Sequence, residues 1–205
     1  MLKRFRLVIG VALLVACQPL LAQAVVEAQQ VQLQAQIRRD SKGFSSCGVR
    51  VVALTSAADT MDAYDFSIMI GTDAYGTLKA GKYRAKLTPV GGKADFARDA
   101  VSPGPLSFCI AKELEGKPLL PIKVMPAETP GFILALGDGL QTLEKIVAIS
   151  LGERLQFALR YKNQPGDKIV AFKGFLTNEE RAPIFACIEG LMVRWRQDLG
   201  GSTNK

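Results

Sequence analysis

The stretch KIVAISLGERLQFALRYKNQPGDKIVAFKGFLTNEERAPIFACIEGLMVRW, from Lys145 to Trp195, decides the fold. It reads as three strand-like runs followed by one long amphipathic helix. KIVAISL (145–151) passes through Gly152-Glu153 into RLQFALRY (154–161). In the second run Leu155, Phe157, Leu159 and Tyr161 fall on one side and Arg154, Gln156 and Arg160 on the other. That alternation is the period-two pattern of a half-buried strand. NQPGD (163–167) has turn composition, and KIVAFKGFL (168–176) makes a third run. The period then changes: Ile184, Cys187, Ile188, Leu191, Met192 and Trp195 recur at helical spacing. Thr177 and Glu180 form a capping box for a helix over about 178–199, with Pro183 as an alternative first residue and Gly200-Gly201 as its end.

Upstream, the pattern is of further strands. Val31, Leu33, Ala35 and Ile37 alternate with Gln30, Gln32, Gln34 and Gln36, and VRVVALT (49–55) follows a Ser/Gly-rich loop that carries Cys47. SAADTMDA (56–63) reads as a loop. Tyr64, Phe66, Ile68 and Ile70 then alternate with Asp65, Ser67 and Met69, and Tyr83, Ala85 and Leu87 share a face in the next run. The glycines and prolines between Val90 and Pro105 predict a loop, with room for a helical turn over 94–100. LSFCIAKE (106–113), LLPIKVMPA (119–127) and FILAL (132–136) are strands, with Pro121 placing the second at an edge or a bulge. Gly137-Asp138-Gly139 reads as a tight turn. Some ten short runs at these spacings predict a mainly β fold, an antiparallel β-sandwich or partly open barrel, with one C-terminal α-helix packed on it through Trp195.

The length of 205 residues fits one domain, and 48% hydrophobic against 22% charged residues is ordinary for a globular chain. The formal charge of +7 is inflated by Lys3, Arg4 and Arg6 in a leader that has no acidic residue. No dense basic run remains, which argues against nucleic acid. The chain has no histidine. That removes Ser-His and Cys-His nucleophile pairs, His-ligated metals and haem, and a pH switch near neutrality.

MLKRFRLVIGVALLVACQPLLAQA (1–24) has a basic start, a short apolar core and the Ala22-Gln23-Ala24 cleavage pattern of a secretory signal. Cleavage there leaves a domain over 25–199 and a flexible tail over 200–205. Leu14-Val15-Ala16-Cys17 offers the alternative, a lipoprotein signal over 1–16 with Cys17 acylated. The first reading predicts a periplasmic or secreted protein, the second an outer-membrane lipoprotein, both in a Gram-negative bacterium. Only the lipid anchor would bring it to a membrane.

After the leader, Cys47, Cys109 and Cys187 remain, and an oxidising compartment favours one bridge. Cys109–Cys187 would tie the C-terminal helix to the sheet, with Cys47 as the alternative partner to either. Glu128, Asp138, Glu179 and Glu180 are the carboxylates to consider for an acid–base pair, although each fits a surface, cap or turn role. No calcium loop, phosphate loop or metal motif occurs, so no catalytic residue, metal or cofactor is assigned. The reading is an exported, non-catalytic binding or structural module that takes a protein or envelope component in preference to a small molecule. Alternatives are a carboxylate-dependent enzyme on a cell-wall glycan and an assembly component of a secretion or pilus system. The loops Asp40–Gly48 and Gly91–Pro105 are the expected contact surface. Lys173-Gly174-Phe175 before the helical tail resembles a short element of the invasion-associated locus B-like proteins. The likeness covers three residues, and no property is carried over from it.

Overall fold

Strict alternation becomes strand wherever one face is apolar and the other polar. The computed structural model describes residues 25–57, 60–73, 75–90, 93–112, 119–162 and 164–201. The expected leader, with Cys17, and residues 202–205 of the expected tail lie outside them. In chain order the elements are β1 (Val25–Glu27), β2 (Gln30–Asp40), β3 (Gly43–Ala57), β4 (Thr60–Gly71), β5 (Tyr75–Val90), β6 (Lys93–Val101), β7 (Ser107–Lys112), β8 (Pro121–Pro126), β9 (Phe132–Asp138), α1 (Gly139–Ser150), β10 (Leu155–Arg160), β11 (Asp167–Phe172) and α2 (Asn178–Gly201).

The strands form two sheets that pack as a sandwich. The small sheet has the order β1-β11-β10-β7, and the large one β2-β3-β4-β5-β9-β8. In the large sheet β9 pairs with residues 75–81 of β5, and β6 pairs with residues 83–90 farther along the same strand. All pairings are antiparallel except β1 with β11. The expected edge strand β8 does lie at an edge, with a register shift between Pro121 and Lys123.

Phe66 of β4 joins the two layers. Its ring centroid lies 4.8 Å from Phe157, 5.3 Å from Phe172 and 5.7 Å from Phe108, which come from β10, β11 and β7. Tilted and edge-on contacts at these distances add to the burial of large apolar area. Leu155, Leu159 and Tyr161 continue the same core, as their alternation predicts.

The other end of the large sheet's inner face is covered by helices. Here the expected strand over 145–151 is corrected, because KIVAIS is the second half of α1. A continuous apolar run fits a buried helix as well as a strand, and Thr142, Ile146 and Ile149 are buried at helical spacing. Asp138 is the N-cap and accepts from the Gln141 amide at 2.9 Å, so Gly137-Asp138-Gly139 is a helix entry instead of a tight turn. Gly152, at φ +79°, follows the C-cap, and the Glu153 and Gly152 amides bond back to Ala148 and Ile149. The helix sits close because Gly76 of β5 lacks a side chain: a Cβ there would fall 1.8 Å from Thr142 Oγ1.

α2 packs across β2 and β3. Thr177 Oγ1 accepts from the Glu180 amide, and the Glu180 carboxylate accepts from the Thr177 amide, so the capping box opens the helix and Pro183 lies inside it. Gly200 and Gly201 are helical, which extends α2 beyond the expected end. Ile184, Cys187 and Leu191 are buried, and Trp195 Nε1 donates to the Thr72 carbonyl at 3.0 Å. The disulfide joins Cys47 to Cys187 across a sequence separation of 140. Cys109–Cys187 is therefore corrected, and Cys47 is the partner. Cys109 is on β7 in the small sheet, whereas α2 packs on β2 and β3 and brings Cys187 to Cys47.

Two expected loops are also strands. Asp40–Gly48 is a hairpin whose second arm starts at Gly43, and residues 93–101 form β6. Most of 56–63 likewise belongs to β3 and β4.

Two stability measurements check this packing. Phe66→Ala should lower the unfolding free energy by about 3–5 kcal/mol in denaturant titration, because it empties the middle of the aromatic contact. Reduction, or Cys47→Ala with Cys187→Ala, should cost about 2–5 kcal/mol, since the bridge restrains a long unfolded loop.

Candidate functional site

With the inner face of the large sheet closed by the small sheet and two helices, polar side chains are left to its outer face. Pairing register sets them in rows across the strands. One row runs Gln34, Arg50, Ser67, Lys79 and Leu134 on β2, β3, β4, β5 and β9. The next runs Gln32, Val52, Asp65, Gly81 and Phe132. On the other side lie Gln36, Gly48, Met69 and Thr77, and then Arg38 and Ser46. Gly48, Ser46, Ser67 and Gly81 are small, so the sheet is shallow between the taller Arg38, Arg50, Lys79 and Met69. A side chain at Gly48 is excluded outright, because its Cβ would lie 1.9 Å from the Ile68 carbonyl oxygen.

The result is a groove made of two adjoining depressions of about 340 and 480 Å³ that share Arg38, Ser67, Met69 and Lys79. Its lining carries one more cation than carboxylates. Arg50 donates to both oxygens of Asp65, from Nε at 2.9 Å and from Nη2 at 2.7 Å. Asp65 is almost fully covered while Arg50 keeps 42% of its side chain exposed, so the carboxylate holds the guanidinium by its inner edge. The bond to Asp65 also raises the Arg50 pKa. Lys79 Nζ donates to Thr129 Oγ1 at 2.6 Å and sits 5.3 Å from the centre of the Phe132 ring. Neither contact neutralises it, and Arg38 is exposed with no ion pair among the described residues. Three cations thus face two carboxylates, Asp65 and Asp73, beside Ser67, Thr129 and the glutamine row of β2.

A second polar cluster lies between the sheets. Lys82 Nζ bonds to Asp62 Oδ2 at 3.0 Å and lies 6.0 Å from the Tyr64 ring centre. The Tyr64 and Tyr161 hydroxyls are buried there without a hydrogen-bond partner; Tyr64 approaches Thr55 outside bonding geometry. Burial, followed by nearby Asp62, raises the Tyr64 pKa. Burial also raises that of Tyr161, with Tyr64 and Asp62 adding to it.

The carboxylates singled out in the sequence do not converge. Asp138 caps α1, Glu180 caps α2, and Glu128 and Glu179 are exposed on a turn and a helix start. Glu180 is held below its ordinary value mainly by the Thr177 amide. Among the described residues no group of three His, Cys, Asp or Glu side chains is placed to hold a metal ion, and no helix is long and apolar enough to cross a membrane. Arg38, Arg50, Lys79, Thr129 and Phe132 were not singled out in the sequence. Arg50 sits between Val49 and Val51, and Lys79 between Leu78 and Ala80, so their face was readable; their meeting depends on register. No family model matches this chain, and no curated protein or solved structure matches it either.

The buried tyrosines give a pH test. A phenol whose folded pKa is raised contributes stability that is complete below the unfolded value of 10.0 and is lost as pH rises above it. Two of the four tyrosines should therefore ionise only with unfolding in an alkaline absorbance titration. Tyr161→Phe should leave neutral-pH stability unchanged or raise it by about 1 kcal/mol, because it removes an unsatisfied hydroxyl.

Proposed function

We propose that this chain is an exported, non-catalytic binding module of the Gram-negative periplasm or envelope, and that the outer-face groove holds an anionic, hydrophilic envelope component. The observation that carries this reading is the grouping of Arg38, Arg50 and Lys79 around a floor of Gly48, Ser46 and Ser67, against two carboxylates of the lining, Asp65 and Asp73, of which Asp65 is already held by Arg50. Phosphate or carboxylate groups of a ligand are recognised by such donors through charge-assisted hydrogen bonds. Lys79 and Arg38 have no carboxylate partner among the described residues, and Arg50 Nη1 is left over from the pair with Asp65. The exposed glutamines of β2 and the Phe132 ring extend the surface for a polar chain. A groove on strands, unlike one on loops, is rigid, so little ordering cost opposes binding.

Export rests on the leader sequence. The Cys47–Cys187 bridge supports an oxidising compartment. The enzyme reading is weaker because the groove's two carboxylates line different depressions, and one of them, Asp65, is already paired to Arg50. An assembly role is the second reading, favoured by the open edge of β2.

Calorimetry with a uronate oligosaccharide, a phosphorylated core oligosaccharide and a neutral glucan tests the groove. One or both anionic glycans should bind and the neutral one should not, with affinity falling as salt rises. Lys79→Gln and Arg38→Gln should each weaken binding by about tenfold, the loss of one charged hydrogen bond. Equal binding of the neutral glucan, or unchanged affinity in both variants, would refute the proposal.

A further inference from the structure

We infer that the free edge of β2 is a homodimer seam, at which two copies pair their β2 strands antiparallel about a two-fold axis through Gln34. The two large sheets then become one continuous sheet.

β2 ends the large sheet, and among the described residues no backbone group meets its outward N–H and C=O groups. Such an edge is a template for another strand, and folded proteins blunt it with proline, lysine, bulges or a covering element. The opposite edge is blunted in this way: β8 begins at Pro121, ends at Pro126 and carries a register shift. β2 is eleven residues long, with neither proline nor lysine, and its one irregularity falls late, between Arg38 and Arg39.

The side chains along this edge are incompletely covered. Val31, Leu33, Ala35 and Ile37 touch the core but are only half-buried. The backbone of Gly174 lies against Val31 and Leu33, where an added Cβ would fall 2.9 Å from Val31 Cγ1. Its neighbour Phe175 is 76% exposed, and Gly152 packs against it. An exposed aromatic next to an open apolar row is the composition of an interface anchor.

The strand selects its own copy as the partner. With the axis at Gln34, Val31 faces Ile37 of the second copy and Leu33 faces its Ala35, so every inner pair is aliphatic. On the outer side Gln30 faces Arg38, Gln32 faces Gln36, and Gln34 faces itself. No like charges are opposed in this register, and a one-residue slip of the strand would turn the glutamines onto the apolar face. Phe175 follows Gly174, the residue that lies against Val31 and Leu33, and stands exposed near this edge. The contact is isologous, so it closes at two copies instead of growing into a fibre.

Light scattering on a sizing column, with the disulfide intact, reads the mass across a wide dilution series. The expected result is a dimer that dissociates in the micromolar range. Gln34→Glu sets two carboxylates against each other at the axis while facing Arg50 within its own sheet, so the monomer stays folded. It should shift dissociation towards monomer by roughly tenfold. Phe175→Ser should act in the same direction. Gln34→Cys should yield a covalent dimer on mild oxidation, because residues opposed across antiparallel strands lie about 4.5–5.5 Å apart at Cα. Gln32→Cys, whose opposite residue is Gln36, should not. A monomer at every concentration, pairing only with an unrelated strand, or equal cross-linking of the two cysteine variants would overturn the proposal. None of these readouts needs a ligand, so failure here is separate from failure of the groove.

Discussion

A long sheet must have its apolar face covered, and here the partner sheet is too short to do so. β3 and β5 contain 15 and 16 residues, against 6 in each of β7, β10 and β11. At about 3.4 Å per residue the large sheet extends roughly twice as far as the small one. The small sheet seals the half that carries Tyr64 and Phe66. The half that carries Cys47, Ile70 and Gly76 is left for helices, and α1 and α2 are placed there. Gly76 and the Cys47–Cys187 bridge fix each helix to that half, one by allowing close approach and the other by a covalent tie.

The same constraint explains which parts of the fold were legible in the sequence. A strand that alternates apolar with polar or small residues announces itself, so Gln30–Ile37, Tyr64–Ile70 and Leu155–Tyr161 were readable by period alone. Residues 145–151 were not, because an apolar run loses its period in either conformation. The signals for α1 lay outside that run: Asp138 as a cap, Thr142 one turn before Ile146, and Gly152 just after the end. Their turn chemistry fits a hairpin equally well, which is how they read beside an apolar run. Residues 93–101 failed for a different reason. KADFARDAV mixes charge and small residues between glycines and a proline pair, and its strand form depends on pairing with residues 83–90 of β5.

Legibility of the groove divides in a similar way. Parity within each strand places Arg38, Arg50, Asp65, Ser67 and Lys79 opposite their apolar neighbours, and parity is local. That these residues meet depends on three separate registers, from β2 through β5. Register is set by hairpin turns and by matching of apolar faces, neither of which a single strand encodes. The disulfide has the same origin. Cys47, Cys109 and Cys187 are equivalent by spacing, and only the docking of α2 on β3 rather than on the small sheet distinguishes them.

One physical consequence links the core to the surface. Among the described residues most of the inner face of the large sheet is covered, so, apart from the Lys82–Asp62 pair, its positions hold apolar side chains of fixed size. The outer face carries no such requirement in its middle rows. Polar and charged side chains can be held there at strand spacing by a backbone that the core already makes rigid. Arg50 shows what this permits, since its guanidinium is anchored by a covered carboxylate yet keeps an exposed side. A cation held in this manner loses little rotamer freedom when an anion arrives, which a lysine on a mobile loop would not achieve. The expected contact loops are largely sheet, so rigid strands and not mobile loops bear most of their side chains.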